Sequence, residues 1–174
     1  MYKRQHTNRL FESAEAVNMK IPFSKEQLND VQKEIFKVNN LEEGYIRPMC
    51  FYGAQGMGLR ADNLKTHCIV AAWEWPSYMS PEAFDEGIKI KISSYKRQTN
   101  NLVSRSKVNG NYVTSIMALQ EAMQEGFDEA LLLDDEGNIS EGSGENLFLV
   151  KEGELFTPDS VSYTHLTLPT INWV

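Results

Sequence analysis

The apolar residues of this chain change their spacing twice between positions 88 and 157, and that change excludes an all-helical and an all-strand fold alike. Ile88, Ile90 and Ile92 alternate with lysines, the period of a half-buried strand. Tyr112, Ile116, Leu119 and Met123 then recur at helical spacing over 111–125, and Gly126 stands where a helix C-terminal cap belongs. Short apolar runs follow at 130–133, 138–141, 146–150 and 155–157, separated by turn residues, so a β-meander is predicted after the helix. The first half mixes the same two periods. A helix is predicted over 6–17, with Leu10, Phe11 and Ala14 on one side. A second follows the Ser24–Gln27 capping box and carries Leu28, Val31, Ile35 and Val38. Strands are predicted at 44–52, where Pro48 implies an edge or a bulge, and at 68–73. Ser80-Pro81-Glu82 opens a short helix. The fold class read from this order is α+β.

At 174 residues the chain has room for one domain, or one domain and part of another. A net charge of −7 argues against a broad nucleic-acid footprint, and no apolar run is long enough to span a membrane. Positive charge gathers at Lys89, Lys91, Lys96, Arg97, Arg105 and Lys107, which suits either an anionic small molecule or a lysine-protected strand edge. Cys50 and Cys68 have neither metal-ligand nor redox spacing and read as reduced thiols of a cytoplasmic protein.

Four positions draw chemical interest, each with an ordinary alternative. Lys107 lies in a loop directly before a helix, where most lysines are merely solvated. Tyr112 starts that helix and could be a packing residue. Glu141 opens Glu141-Gly142-Ser143-Gly144-Glu145, which would also serve as a tight hairpin loop. Arg9, on the first helix, could be a surface cation.

Taken together, Ser106 to Tyr112, Gly126 to Asp134 and Glu141 to Phe148 resemble the central run of class IV aminotransferases. Tyr45-Ile46-Arg47-Pro48, Gly56-Met57-Gly58 and Ala71 to Tyr78 resemble the branched-chain members, and Asn8 to Ala14 resembles their phosphate-binding helix. The motifs run in the family's order from about residue 6 to 160, which carries more weight than any one of them. The resemblance implies a two-domain pyridoxal-phosphate enzyme of fold type IV that exchanges amino groups between leucine, isoleucine or valine and 2-oxoglutarate. By resemblance Lys107 forms the Schiff base and moves the α-proton, Glu141 faces the pyridine nitrogen, Tyr112 the phenolic oxygen, and Arg9 the phosphate. Tyr45 would hold the substrate α-carboxylate, Arg47 with Tyr78 the side-chain carboxylate of glutamate, and Trp75 an aliphatic side chain. Partners are then amino acids and 2-oxo acids, with neither nucleic acid nor membrane, and a homo-oligomer at full length. D-amino-acid aminotransferases and aminodeoxychorismate lyases share the fold, and a non-enzymatic α+β domain is the alternative outside it.

The chain departs from the family at both ends. Strands expected ahead of the Arg9 helix and a phosphate-cradling Gly-Ile-Thr segment after Ser160 are not in this sequence. Residues 1–5 and 161–174 read as non-native ends, the latter resembling a translated sequencing adapter. The expected organisation is an amino-terminal domain over 6–100, incomplete at its start, and the first part of a cofactor-binding domain over 101–160. A chain of that kind is expected to have little activity of its own.

Overall fold

The computed structural model describes residues 2–75, 79–97 and 106–158. They fall into two compact units, 1–78 and 79–174. In the first, helix α1 (Tyr2–Ala16) packs on α2 (Lys25–Val38), and α2 packs on strand β2 (Thr66–Trp73). The predicted capping box is formed: Ser24 Oγ accepts from the Gln27 amide, and Gln27 Oε1 accepts from the Ser24 amide. Leu28 and Ala14 are buried between the helices. Gln32 Nε2 donates to Thr7 Oγ1 at 3.0 Å, and Thr7 donates to Asn29 at 2.7 Å, a buried polar seam in which the donors find acceptors.

Strand β1 (Tyr45–Tyr52) runs antiparallel to β2 in unbroken register from Tyr45↔Trp73 to Tyr52↔Thr66. Pro48 fits because a two-stranded sheet leaves each strand one unpaired side, and no bulge is needed. Gly44 marks the entry. A Cβ there would stand 2.4 Å from the carbonyl oxygen of Trp73, and its φ is +151°, so only glycine lets the two backbones approach.

The second unit begins with α3 (Pro81–Glu86), with Ser80 at the N-cap position, where its side chain makes no capping hydrogen bond, and Pro81 in the first turn. Strand β3 (Ile90–Lys96), helix α4 (Tyr112–Gln124) and strand β4 (Glu129–Leu133) follow, and β3 pairs with β4 in parallel. That pairing draws β3 into the second unit, whereas the sequence places the change of domain near residue 100. Strand β5 (Ile139–Gly142) adds antiparallel to β4, giving the order β3-β4-β5. Strands β6 (Leu149–Lys151) and β7 (Glu154–Phe156) form a separate hairpin. The predicted meander is therefore interrupted: among the described residues β5 and β6 do not pair, because the chain turns sharply at 142–145, where the Gly142 amide donates to the Glu145 carbonyl.

Two expected faces are reversed. The stripe of α4 that packs on β3 and β4 is Ser115, Ala118 and Ala122, while Ile116 and Met123 are exposed. Small side chains let the helix lie close to the sheet, and Ala118 and Ala122 join Ala130 and Leu132 in a core flanked by Tyr95 and Phe127. On β3, Ile90 and Ile92 are exposed while Ser93 is buried. Lys91 meets Glu121 of α4 and Glu125 just past its end instead of lying on a solvated face. As predicted, Gly126 closes the C-terminal end of α4, just past the cap residue Glu125; its φ of +82° lets the Phe127 amide reach back to the Ala122 carbonyl.

Candidate active site

The chemistry-bearing residues lie in both units. In the second, Lys107 sits between β3 and α4. The carbonyl of Ser106 accepts from the Val108 amide at 2.9 Å and from Asn111 Nδ2 at 2.8 Å, which winds 106–111 into a tight turn. A single 3₁₀ turn, Asn109–Asn111, then leads into α4. This local winding brings the Lys107 Nζ to 5.5 Å from the ring centre of Tyr112, the first residue of α4. The lysine is exposed and Tyr112 half-buried, so an ammonium or amine lies beside a phenol at the mouth of the helix.

Glu141 is placed by β5, opposite Leu132 of β4, and is 2% exposed. Its Oε1 lies 2.6 Å from Nε of Arg97, itself buried just beyond β3. The Arg97 amide donates to the Leu133 carbonyl at 2.7 Å, which continues the β3–β4 pairing by one residue and fixes the arginine's position. From there Nη1 donates to the carbonyl of Asn111 at 3.1 Å and to Ser115 Oγ at 3.4 Å. Glu141, Arg97, Asn111 and Ser106 thus form consecutive links that end at the residue preceding Lys107. Sequence reading missed Arg97, which it counted only among a run of cations. Its one visible signal is a lone arginine at the end of an alternating strand.

The loop after Glu141 is held by two further carboxyl groups. Glu129 Oε1 accepts from its neighbouring Ala130 amide at 2.7 Å and from the Ser143 amide at 3.1 Å. Glu145 lies against Glu129, and its Oε2 accepts from the Gly144 amide at 3.1 Å. Burial first, then the Glu129 carboxyl, pushes the Glu145 carboxyl up to about 7. A side chain at Gly142 would press on the carbonyl and carboxylate oxygens of Glu145, each at 3.2 Å, so the glycine keeps this turn closed.

On α4, Glu121 reaches across to Ser93, Ser94 and Lys91 of β3. The Ser94 hydroxyl, the Ser93 hydroxyl and the Ser94 amide hold its carboxyl down to about 2. Much of the positive run predicted to attract an anion is thereby engaged: Lys91 with Glu121 and Glu125, Lys96 with the Asp135 carbonyl, and Arg97 with Glu141.

In the first unit, Tyr45 and Arg47 lie two residues apart on β1 and so share one face of the sheet. The cross-strand partner of Tyr45 is Trp73, with ring centres 5.2 Å apart, and Trp75 lies 5.0 Å from Tyr45 and 5.5 Å from Trp73. The Arg47 guanidinium stands 5.2 Å above the Tyr45 ring and 5.4 Å from that of Trp73. Three aromatic rings and one cation therefore form a single cluster, exposed at Tyr45, Arg47 and Trp75 and half-buried at Trp73, which was not anticipated. Tyr78 lies outside the described residues. Arg9 is half-buried on α1, and its Nη2 lies 3.0 Å from His6 Nδ1.

A sequence profile of amino-transferase class IV matches residues 1–171. The chain belongs to that family. It is 52% identical over 155 residues to the branched-chain-amino-acid aminotransferase of Pseudomonas aeruginosa, a match covering 88% of this chain and 50% of that protein. The crystal structure of the Escherichia coli branched-chain amino acid aminotransferase superposes with a TM-score of 0.87 at 39% identity, covering 92% of this chain and 53% of that one. The branched-chain amino acid aminotransferase of Thermobaculum terrenum, in its PLP-bound holo-form, superposes with a TM-score of 0.80 at 27% identity, covering 92% of this chain and 52% of that one. The chain spans about half the length of the curated relatives it matches. Its mixed helix-and-strand architecture is that of the family, as the α+β reading holds. Among the described residues no helix is long and apolar enough to cross a membrane.

Class IV aminotransferases depend on pyridoxal phosphate, and the donor set of the second unit fits that group. An exposed primary amine, a phenol beside it and a buried carboxylate are the three functions its aldehyde, its phenolic oxygen and its pyridine nitrogen require.

Proposed function

We propose that this chain is part of a branched-chain amino-acid aminotransferase that moves amino groups between leucine, isoleucine or valine and 2-oxoglutarate. The observation that carries the reading is the set of links from Lys107's loop through Arg97 to Glu141, in a chain of this family. Pyridoxal 5′-phosphate, when bound, supplies a reactive aldehyde and a protonated ring that draws electrons from the substrate α-carbon. Lys107 is the amine that would hold it, and the same amine would serve as the base for the substrate α-proton. Glu141 is the buried carboxylate that would keep the ring nitrogen protonated. Tyr112 would donate to the phenolic oxygen, and Arg9 would offer a planar pair of donors to the phosphate.

In the first unit Tyr45 binds the α-carboxylate, and Arg47, with Tyr78, binds the side-chain carboxylate of glutamate. Trp75 supplies apolar wall for an aliphatic side chain. A cation already seated on aromatic rings suits a pocket that alternates between an anionic and an apolar guest, since it needs no water-filled space when the guest is apolar. The full-length protein is proposed to be cytoplasmic and homo-oligomeric, with neither nucleic acid nor membrane as a partner.

The test adds pyridoxal phosphate to the chain, reduces with borohydride and maps the modified peptide. The expected result is a visible absorption band and a label on Lys107, both lost in Lys107→Ala. A band that survives the substitution, or a label spread evenly over the exposed lysines, would overturn the reading.

A further inference from the structure

Cys50 and Cys68 have no meaningful spacing in sequence, yet the β1–β2 register sets them directly opposite each other. Their sulfur atoms are 3.0 Å apart. Directly opposed residues of an antiparallel pair have Cα atoms about 4.5–5.5 Å apart, inside the range of about 4.4–6.8 Å that a disulfide spans. The sulfurs need to close by roughly one ångström to reach a bond length of about 2.05 Å. Both residues are half-buried, so small thiol reagents reach them while bulk solvent is partly excluded.

We propose that Cys50 and Cys68 are a modification site: a cross-strand dithiol that closes to an intramolecular disulfide by exchange with a low-molecular-weight disulfide. One cysteine thiolate attacks the reagent, forming a mixed disulfide and expelling one reagent thiolate. The other cysteine then attacks the protein-bound sulfur, forms the Cys50–Cys68 bond and expels the second. Two protein thiols are oxidised, one reagent disulfide is reduced to two thiols, and the two protons go to the departing sulfurs. Burial, and then the neighbouring Cys68, pushes the Cys50 thiol up to about 12.

The bond would lock the register of the two strands that carry Tyr45, Arg47 and Trp73, and it would close the 53–65 connection into a covalent ring. Redox state would then set how freely this strand pair can shear. The site stands on the strand register alone and does not depend on the aminotransferase reading.

The experiment incubates the chain with oxidised glutathione, quenches with acid, and reads intact mass and cross-linked peptides. The expected product has lost the mass of two hydrogen atoms, retains no glutathione, contains one Cys50–Cys68 peptide, and is restored by dithiothreitol. Cys50→Ser should instead stop at one bound glutathione. Closure should be about tenfold faster in the folded chain than in urea, because register supplies the proximity. A wild-type chain left with glutathione on both cysteines, linked between molecules, unreacted, or closing equally fast in urea would overturn the proposal.

Discussion

Nε of Arg97 stands 2.6 Å from Oε1 of Glu141, and the two side chains are buried together between the end of β3 and the middle of β5. One partner extends the sheet's first strand and the other lies on its last, so the ion pair bridges the sheet and reaches α4 through Asn111 and Ser115. A buried charge deprived of its partner is far more costly than a buried pair replaced whole. Arg97→Ala is expected to lower stability by about 3–5 kcal/mol, read as a fall in the urea midpoint. The double substitution Arg97→Met with Glu141→Leu should recover most of that loss. If the double variant is as unstable as Arg97→Ala, the pair is not the origin of the effect.

The seat of Lys107 over the ring of Tyr112 separates two roles of the tyrosine. Tyr112→Phe keeps the ring and removes the hydroxyl. It should leave borohydride labelling of Lys107 in place while shifting the visible band, because the hydrogen bond to the cofactor's phenolic oxygen is gone. Tyr112→Ala should reduce both the label and the rate at which it forms. Identical spectra for Tyr112→Phe and the parent would remove the hydroxyl from the cofactor's surroundings.

Arg47 rests on Tyr45 and Trp73, so the cluster reports on its own occupancy. With Trp173→Phe as background, tryptophan emission should respond both to 2-oxoglutarate and to a branched aliphatic 2-oxo acid. Arg47→Ala should weaken the response to the dicarboxylate by about tenfold, the loss of one charge-assisted contact, and spare the aliphatic one. Equal loss of both would make Arg47 a general anion binder and not a selector.

The paired carboxyls Glu145 and Glu129 make a pH prediction. Burial and Glu129 raise Glu145 from 4.5 to about 7, so between those values the folded chain holds a proton that the unfolded chain has released. Stability is then fullest below 4.5 and falls as the pH rises through about 7. Glu145→Gln keeps a hydrogen-bonding side chain without the charge, so it should flatten the thermal midpoint against pH between about 5 and 8. A slope unchanged by Glu145→Gln would assign the titration elsewhere.

On the opposite side of zero slope, Glu121 is held down to about 2 by Ser94 and Ser93. Its contribution is present above the ordinary carboxylate value and is lost as the pH falls through about 2. Glu121→Gln should therefore lower the thermal midpoint at neutral pH and lessen the further loss in acid.

Local signals in the sequence are legible where the physics is local. The Ser24 capping box, the Pro81 helix start and the Gly126 cap each depend on a few neighbouring residues, and each is formed as expected. The loop carrying Lys107 and the strand carrying Glu141 also stand where the motifs put them. What is not legible depends on pairing between distant segments. The meeting of Arg97 with Glu141 and that of Cys50 with Cys68 follow from strand order and register, which no single segment encodes. The buried stripe of α4 differs from the expected one because hydrophobic size points to Ile116 and Met123, while closeness of approach selects Ala118 and Ala122. Trp73 escapes notice because its value lies in its cross-strand partner Tyr45 and in the glycine that lets the strands meet.

Those two fully buried alanines act as a gauge block between α4 and the sheet. One added branch at either would lift the whole rod, and the rod's leading end carries Tyr112 with the Lys107 turn wound onto it. The amine's alignment is thus dictated from the dry side of the helix, by methyl groups that meet no ligand. Variation there is expected to displace Tyr112 and the Lys107 turn together.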